Sequence, residues 1–308
     1  MTPLRILVLY GGPSVEREVS LVSGEACAEA LRSLGHEVEL FDFTGDAVAL
    51  VEALETRPAV VFNALHGRYG EDGCIQGLLD LMRIPYSHSG RLASALAMDK
   101  AAAKQVLEAA GLRCPGGAVM ARENVLGGDP LPRPYVVKPV CEGSSMGVVI
   151  VRHGDNDLPF THDDWPFGEA VLVEPYIQGR ELTVSVMEDH ALAVTELRPR
   201  QGFYDYTAKY TEGKTDHILP APVSSRIYEA AMAQAVAAHK ALGCRGVSRA
   251  DFRYDEEQDS EEDNGLYLLE VNTQPGMTPL SLVPEQAAHL GLPFAELVQW
   301  MVEQASCD

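Results

Sequence analysis

Two segments that read as strands carry charged and amide side chains at alternate positions. Residues 247–254 and 266–271 are rich in branched and aromatic residues, and a polar insert separates them. Because side chains alternate across a strand, Arg249 and Asp251 share one face, and the same parity pairs Glu270 with Asn272. If the strands are antiparallel neighbours, these four groups converge on one patch. Burying such charges is costly unless they are paired or coordinated, and Mg²⁺, which prefers carboxylate, phosphate and water oxygens, would remove that cost.

The alternative for such a hairpin is a salt-bridge network on a solvated sheet face. The residues that follow Asn272 count against it. Residues 273–278 read Thr-Gln-Pro-Gly-Met-Thr, a turn-forming loop whose backbone N–H groups can face a ligand, and an apolar helix comes next. The combination favours a metal and phosphate site.

The composition excludes several classes of protein. The 308 residues can bury a large core and divide into two or three domains. The net charge of -21, without Lys and Arg clusters, argues against a nucleic-acid surface. The N-terminus enters a strand directly and no long apolar segment follows. We therefore expect a cytoplasmic enzyme that binds neither nucleic acid nor membrane.

The insert between the two predicted strands is strongly acidic. A solvated hairpin tip is its simplest interpretation, and a Ca²⁺ loop is a weaker one because the EF-hand spacing and central glycine are missing. Its acidic residues are Asp255, Glu256, Glu257, Asp259, Glu261, Glu262 and Asp263.

The first third of the chain alternates strand and helix, which predicts a parallel α/β unit. Ligands bind such sheets beyond the carboxyl ends of the strands, and polar loops containing Glu16 and His66 lie there. Glu16 could meet a ligand amine or serve the dipole of the first helix, and His66 could equally be a loop histidine bonded to backbone. The predicted strands are 4–10, 38–41 and 59–63, and the predicted helices are 20–34 and 46–54.

The middle of the chain has two lysines near small-residue segments. Residues 93–110 read as one helix that contains Lys100, which alone would be an ordinary exposed lysine. Residues 135–139 form a short strand with Lys138, a Gly/Ser loop follows, and 148–151 return as a strand. Such a hairpin can fold over phosphates, and an ordinary glycine hairpin is the alternative.

Two further polar segments are candidates for nucleotide contact. The connector 174–181 contains a proline, so neighbouring backbone groups could read an adenine edge, with Glu174 and Glu181 for amino and ribose groups. A plain turn is the alternative. Residues 201–217 are tyrosine-rich and without a period, which is typical of a lid, and they contain Lys209 and Tyr210.

Taken in order, these motifs resemble one family over nearly the whole chain, the D-alanine:D-alanine ligases of the ATP-grasp superfamily. The resemblance implies α/β architecture with an ATP-grasp fold, namely an N-terminal parallel α/β domain (1–95), a central ATP-clamping α+β domain (96–183) and a C-terminal one with the lid and metal site (184–308). The motifs are GGPSVEREVS, ALHGRYGEDG, MDK, VVKPVCEGSSMGV, VEPYIQGRELTV, YDYTAKY and RAD with LLEVNTQPGMTPLSLVP.

The resemblance also implies roles for individual residues. ATP would lie between the central and C-terminal domains, and the γ-phosphoryl would move to the first D-alanine's carboxylate. Its phosphate contacts would be Lys100, Lys138, Ser144 with the glycine loop, and Lys209, and its adenine and ribose contacts Glu174, Pro175, Tyr176, Ile177 and Glu181. Two Mg²⁺ ions, for which Mn²⁺ could substitute, would be held by Asp251, Glu270 and Asn272.

The substrate contacts are implied in the same way. Glu16 would hold the first ammonium and His66 would lie nearby, Arg249 with the Gly276 N–H would stabilise the oxyanion, and Ser281 with Leu282 would receive the second carboxylate. The catalytic set implied is Glu16, Ser144, Tyr210, Arg249, Gly276 and Ser281. Ser144 and Tyr210 would close the site against water.

Two other functions compete with this interpretation. One is another ATP-grasp carboxylate:amine ligase with different substrates, which Glu16 and Ser281 disfavour. The other is an ATP-binding regulatory module without catalysis, against which Arg249 and the three metal ligands argue together. Family likeness further suggests a homodimer, with D-alanine and ATP as the small-molecule substrates.

Overall fold

The computed structural model describes residues 2–143, 147–155, 161, 165–200 and 213–308. Three predicted site residues, Ser144, Lys209 and Tyr210, lie outside this set, so nothing in the structure bears on their predicted roles. Of the predicted lid, residues 215–217 are not loop, because they belong to a strand.

A parallel sheet opens the chain, as predicted. Strand β1 (Arg5–Gly11) lies between β2 (Glu37–Phe43) and β3 (Val60–Asn63). Its unbroken apolar run is buried on both faces, which parallel strands require. Ile6 and Val8 pack towards one side of the sheet, and Leu7 and Leu9 towards the other. The helices are α1 (Arg17–Ser33), which covers the first side, and α2 (Ala47–Leu54) and α3 (Cys74–Met82), which cover the second.

The single helix predicted over 93–110 is wrong, because Asp99 interrupts it. Helix α4 (Arg91–Met98) ends there and α5 (Lys100–Ala109) begins, with Asp99 extended at φ -83° and ψ 98°. Its carboxylate accepts hydrogen bonds from the N–H groups of Ala101 and Ala102, each at 3.0 Å. Asp99 therefore acts as an N-cap, and it makes Lys100 the first residue of a helix.

A four-stranded antiparallel sheet follows, in the order β4-β7-β5-β6. The predicted hairpin is confirmed, since Tyr135 pairs with Val151. Strand β4 was not predicted because its four residues give too short a pattern. The elements are β4 (Ala118–Ala121), α6 (Arg122–Leu126), β5 (Tyr135–Pro139), β6 (Val149–Val151) and β7 (Ala170–Pro175).

The third sheet is five-stranded, in the order β10-β9-β8-β11-β12. Strands β11 and β12 are antiparallel, with Asp251 opposite Glu270 and Arg249 opposite Asn272, as predicted. Helix α7 packs on this sheet in an apolar core with α5. The elements are β8 (Arg180–Met187), β9 (His190–Pro199), β10 (Thr215–Ile218), α7 (Ser225–Ala241), β11 (Val247–Asp259) and β12 (Asn264–Asn272).

The acidic insert is more ordered than predicted. Strand β11 runs on to Asp259, and Asp255 is buried, where its carboxylate accepts hydrogen bonds from Glu257 N and Gln258 Nε2. Asp263 pairs with Arg113. The prediction of a solvated tip is therefore wrong for Asp255, whose charge local hydrogen bonds compensate. It is confirmed for the exposed residues Glu256, Glu257, Glu261 and Glu262.

The chain ends in helices α8 (Leu282–His289) and α9 (Phe294–Glu303). Leu297 and Met301 of α9 belong to the same core as Ile6 of β1, so the end of the chain packs on its beginning. The predicted domain boundaries after residues 95 and 183 fall inside α4 and β8. Within the described part of the chain, none of the helices has both the length and the apolar composition that crossing a bilayer requires.

Candidate active site

The charged patch on β11 and β12 is assembled as the alternation predicts. Arg249 donates to both carboxylate oxygens of Asp251, from Nε at 2.8 Å and from Nη2 at 2.7 Å. Thr183 on β8 donates its hydroxyl to Asp251 Oδ1 at 2.7 Å. Asp251 is only 7% exposed. Its buried charge is thus compensated from two sides, as a buried carboxylate requires.

Lys100 joins this patch from the start of α5. Its Nζ lies 3.6 Å from Glu270 Oε2 and also donates to the carbonyl oxygen of Glu142. Its backbone N–H donates to Val140 O at 3.1 Å. The helix break at Asp99 therefore places a lysine between the carboxylate on β12 and the loop that follows β5.

Lys138 and Glu174 form a buried ion pair on neighbouring strands β5 and β7. Lys138 Nζ lies 2.7 Å from Glu174 Oε2, and the other carboxylate oxygen contacts Lys104 of α5. Glu174 is 2% exposed. Burial lowers the pKa of both lysines, and the Glu174 carboxylate, which contacts both, is an opposite charge that favours a charged lysine.

The connector between β7 and β8 is held by an arginine that sequence reasoning missed. Arg253 donates to the carbonyl oxygens of Ile177 at 3.1 Å and Gly179 at 2.7 Å, and lies 3.5 Å from Glu181. The signal was available, because Arg253 is two residues beyond Asp251 on the same strand face.

Lys138, Glu174 and Arg253 line one of two clefts at this site. Its volume is about 930 Å³, part of it open to solvent, and we call it the second cleft because the first cleft, described below, holds the proposed substrate contacts. Apolar side chains from β5, β6 and β12, among them Val136, Ile150 and Leu269, form much of its wall. It brings together seven residues predicted to contact a nucleotide, which are Lys100, Lys138, Glu174, Pro175, Tyr176, Ile177 and Glu181.

Two carboxylates lie side by side at the carboxyl end of the parallel sheet. A Cβ on Gly143 would sit 3.1 Å from Glu16 Oε2 and 3.3 Å from Glu71 Oε1, so the loop after β5 approaches both closely. Glu71 accepts a hydrogen bond from Gly67 N at 2.9 Å. Burial and the charge of Glu16 raise the pKa of Glu71 to about 8.

Glu71 is a second residue that sequence reasoning missed. Glu71 and Arg249 line the same cleft, which is described below. Glu16, which was predicted to contact the substrate, lies next to Glu71 but is not among the described residues that line this cleft. The loop sequence LHGRYGEDG carried the signal, since Glu71 follows β3 at the ligand-binding end of the sheet.

His66 lies deeper than a ligand contact would. It is buried, and its Nε2 is 3.5 Å from Ser23 Oγ. It is not among the described residues that line the second cleft or the first cleft, described below. Burial lowers its pKa, so the ring is neutral near pH 7. Met277 N also donates to Ser23 Oγ, at 3.2 Å, so His66 packs behind the loop that follows β12.

The loop after β12 presents backbone groups at the start of α8. Ser281 Oγ accepts a hydrogen bond from Thr278 N at 2.9 Å, and a Cβ on Gly276 would lie 2.9 Å from that hydroxyl. A side chain at position 276 would therefore displace the Ser281 hydroxyl from this position. The N-terminus of α8 attracts a carboxylate, which suits the role predicted for Ser281 and Leu282.

These groups line another cleft of about 820 Å³, which we call the first cleft. Its lining includes Glu71, Arg249, Asn272, Gly276, Ser281 and Leu282. Lys100, Glu142 and Glu270 line both clefts. The two spaces therefore meet at the charged patch.

The donors at this junction fit a hard divalent cation. Among the described residues, no group of three or more His, Cys, Asp or Glu side chains is placed to hold a metal. The patch instead offers the Asp251 and Glu270 carboxylates and the Asn272 amide oxygen. Mg²⁺ uses such a small set of protein oxygens and completes its shell with phosphate and water.

Comparison with known proteins gives consistent results. A sequence profile described as D-ala D-ala ligase C-terminus matches residues 128–303, and one described as D-ala D-ala ligase N-terminus matches residues 46–89. The chain is 58% identical over 306 residues to a protein of Paramagnetospirillum magneticum named D-alanine–D-alanine ligase, with 99% of each covered. It is 57% identical over 305 residues to one of the same name from Rhodospirillum rubrum, again with 99% of each covered.

A solved structure is similar over its whole length. It is described as a D-alanine–D-alanine ligase from Bacillus anthracis complexed with ATP, and it superposes with a TM-score of 0.82 at 30% identity, covering 98% of this chain and 97% of that one. This likeness confirms the predicted ATP-grasp fold.

Proposed function

The chain belongs to the D-alanine–D-alanine ligase family, and from this premise we propose that it joins two D-alanines, with cleavage of ATP to ADP and phosphate, to supply D-alanyl-D-alanine for peptidoglycan precursors. One observation carries the proposal. Two clefts meet at Lys100 and Glu270, so a nucleotide and an amino acid can bring phosphate and carboxylate together there.

The nucleotide occupies the second cleft in this proposal. Adenine lies against the backbone of residues 174–177, and Glu181 faces the ribose. The phosphates contact Lys100 and Lys138. Ser144 and Lys209, which are not among the described residues, are the other two phosphate contacts in this proposal. The Glu174 carboxylate is already shared by two lysines, so its contribution to adenine recognition comes through its backbone.

Asp251, Glu270 and Asn272 would hold two Mg²⁺ ions, or Mn²⁺ in their place, between the clefts, and this would supply positive charge to offset that of the transferring phosphoryl group. The Asp251 carboxylate is oriented for this by Thr183 and Arg249.

D-alanine occupies the first cleft. The ammonium of the first D-alanine faces Glu16 and Glu71, and His66 supports this pair from behind. The second carboxylate meets Ser281 and the backbone of Leu282 at the start of α8.

The reaction then follows from positions. The first D-alanine's carboxylate takes the γ-phosphoryl group and ADP leaves, giving an acyl phosphate. The deprotonated amine of the second D-alanine attacks that carbonyl, Arg249 and the Gly276 N–H stabilise the oxyanion, and phosphate leaves as the amide forms. Ser144 and Tyr210 close the site, which protects the acyl phosphate from water.

We further propose a cytoplasmic homodimer. Leu81 of α3 and Leu92 of α4 are 86% and 66% exposed, which supports a covered surface at these helices. Sedimentation equilibrium at micromolar protein tests this, and a monomer at all concentrations would contradict it.

Phosphate release from ATP and Mg²⁺ tests the activity, with D-alanine, L-alanine, D-serine or D-lactate offered in turn. We expect release to require D-alanine and the product to be the amide. Preferential D-lactate incorporation at neutral pH would contradict the substrate assignment, and release with an unrelated carboxylate and amine would favour another ligase of this fold.

A further inference from the structure

Lys104 is a buried lysine, and it is not among the described residues that line either cleft. It lies one turn after Lys100 on α5, so both lysines share one helix face. It is 8% exposed, and its Nζ contacts Glu174 Oε1 and donates to the carbonyl oxygen of Pro115 at 2.8 Å. Burying a charged lysine costs free energy unless the charge is paired. We therefore ask what the charge of Lys104 does at this position.

The partner of Lys104 is also the partner of Lys138. Glu174 presents one carboxylate oxygen to each lysine, and the three side chains are almost wholly buried. With every group ionised, the cluster carries one net positive charge. If Lys104 were neutral, the Lys138–Glu174 pair would carry none.

This arrangement matters when a phosphate arrives beside Lys138. To bind the phosphate, Lys138 shares or gives up its contact with Glu174 Oε2. A buried carboxylate left without a cation is strongly destabilising. Lys104 stays on Oε1 throughout, so Glu174 remains compensated and the charge of Lys138 is available to the ligand.

We propose that Lys104 is a positioning residue for nucleotide binding, which acts through Glu174 to release Lys138 towards the phosphates. The inference rests on the proposed function for the identity of the ligand. It differs from a purely structural tie between α5 and β7, because a structural tie would affect the amount of folded protein and leave the affinity for nucleotide unchanged.

The test compares Lys104→Met with Lys104→Arg, Glu174→Gln and the double variant Lys104→Met/Glu174→Gln. Lys240→Met, on the exposed side of α7, is the matched control. Titration calorimetry with Mg²⁺ and ADP gives the affinity, and kinetics give KM for ATP and kcat separately. Thermal unfolding reports whether each variant folds.

We expect Lys104→Met to weaken ADP binding by about tenfold or more and to raise KM for ATP in parallel, with kcat changed less. Lys104→Arg keeps the charge and should bind within about threefold of the parent. The double variant should bind as tightly as Glu174→Gln, because no stranded carboxylate remains. If Lys104→Met fails to fold, Lys104→Gln takes its place in the same comparison, because its amide removes the charge and can still donate to the carbonyl oxygen of Pro115.

Two results would overturn the inference. One is unchanged ADP affinity in Lys104→Met, and the other is a double variant that binds about tenfold more weakly than Glu174→Gln. Failure of the proposed function is distinguishable, since the parent protein would then release no phosphate in response to D-alanine while the ADP titrations still compare the variants.

Discussion

The two clefts compensate their buried charge in different ways. Behind the second cleft, Glu174 is neutralised by Lys104 and Lys138, which is a compensation by opposite charge. Beside the first cleft, Glu71 lies next to Glu16, and burial with the charge of Glu16 raises the pKa of Glu71 to about 8, which favours compensation by a proton instead. The charge of Lys138 can bind a phosphate, and the ammonium group of an amino acid can replace the proton on Glu71. The second cleft therefore suits the anionic ligand that we propose for it, and the first cleft suits the ammonium.

Glu270 lines both clefts, so its replacement should have the largest effect. Glu270→Gln keeps the size of the side chain and removes the charge that faces Lys100 and the proposed metal. We expect dipeptide synthesis to fall by about 10³-fold and ADP binding to lose its dependence on Mg²⁺. Calorimetry with and without Mg²⁺ checks the second point.

Glu229→Gln, at an exposed position of α7, controls for the loss of one negative charge. If Glu270→Gln bound ADP with the full Mg²⁺ dependence of the parent, Glu270 would not be a metal ligand, and the clefts would not meet at a shared ion.

Arg249 belongs to the first cleft alone, and its replacement should separate the two. Arg249→Ala removes the proposed oxyanion donor, so we expect the rate of dipeptide formation to fall by about 10²-fold or more. The affinity for ADP, measured by calorimetry, should fall less than the rate does, through the loss of the two hydrogen bonds that orient the Asp251 carboxylate. Arg249→Lys keeps a charge without the planar fork and should recover only part of the rate. Retention of most synthesis in Arg249→Ala would remove the oxyanion role.

What the sequence predicted well depended on local rules. The alternation of side chains along β11 and β12 was enough to place Arg249 and Asp251 against Glu270 and Asn272. The continuous apolar run of β1 was enough to predict a strand buried on both faces. These features need only neighbours in the chain and the geometry of one element.

What the sequence could not predict depended on distant partners. Lys104 is 70 positions from Glu174, and no local pattern joins them. Glu71 and Glu16 come together only when the loops after β1 and β3 fold against Gly143. Asp255 seemed solvated by composition, and its burial became visible only in the extended hairpin. The break at Asp99 was hidden because apolar residues continue at helical spacing on both sides of it.

Glu71→Gln should have the smallest effect, and it tests the compensation by a proton. In the unfolded chain Glu71 ionises near its ordinary pKa, whereas the folded protein holds its proton up to about pH 8. Between those values the unfolded state has lost a proton that the folded state keeps, so stability falls as pH rises, by up to about 1.4 kcal/mol per pH unit from this group. Gln cannot ionise, so the variant avoids that loss.

We therefore expect parent and variant to unfold at similar temperatures near pH 4, and the variant to unfold roughly 5 °C higher at pH 8. Thermal unfolding followed by circular dichroism at both pH values measures this, with Glu229→Gln as the exposed control. A difference in Tm that is the same at both pH values would mean that Glu71 is ionised in the folded protein. The carboxylates beside the first cleft would then be compensated by a cation instead of a proton. The contrast with the Lys104–Glu174–Lys138 cluster would disappear.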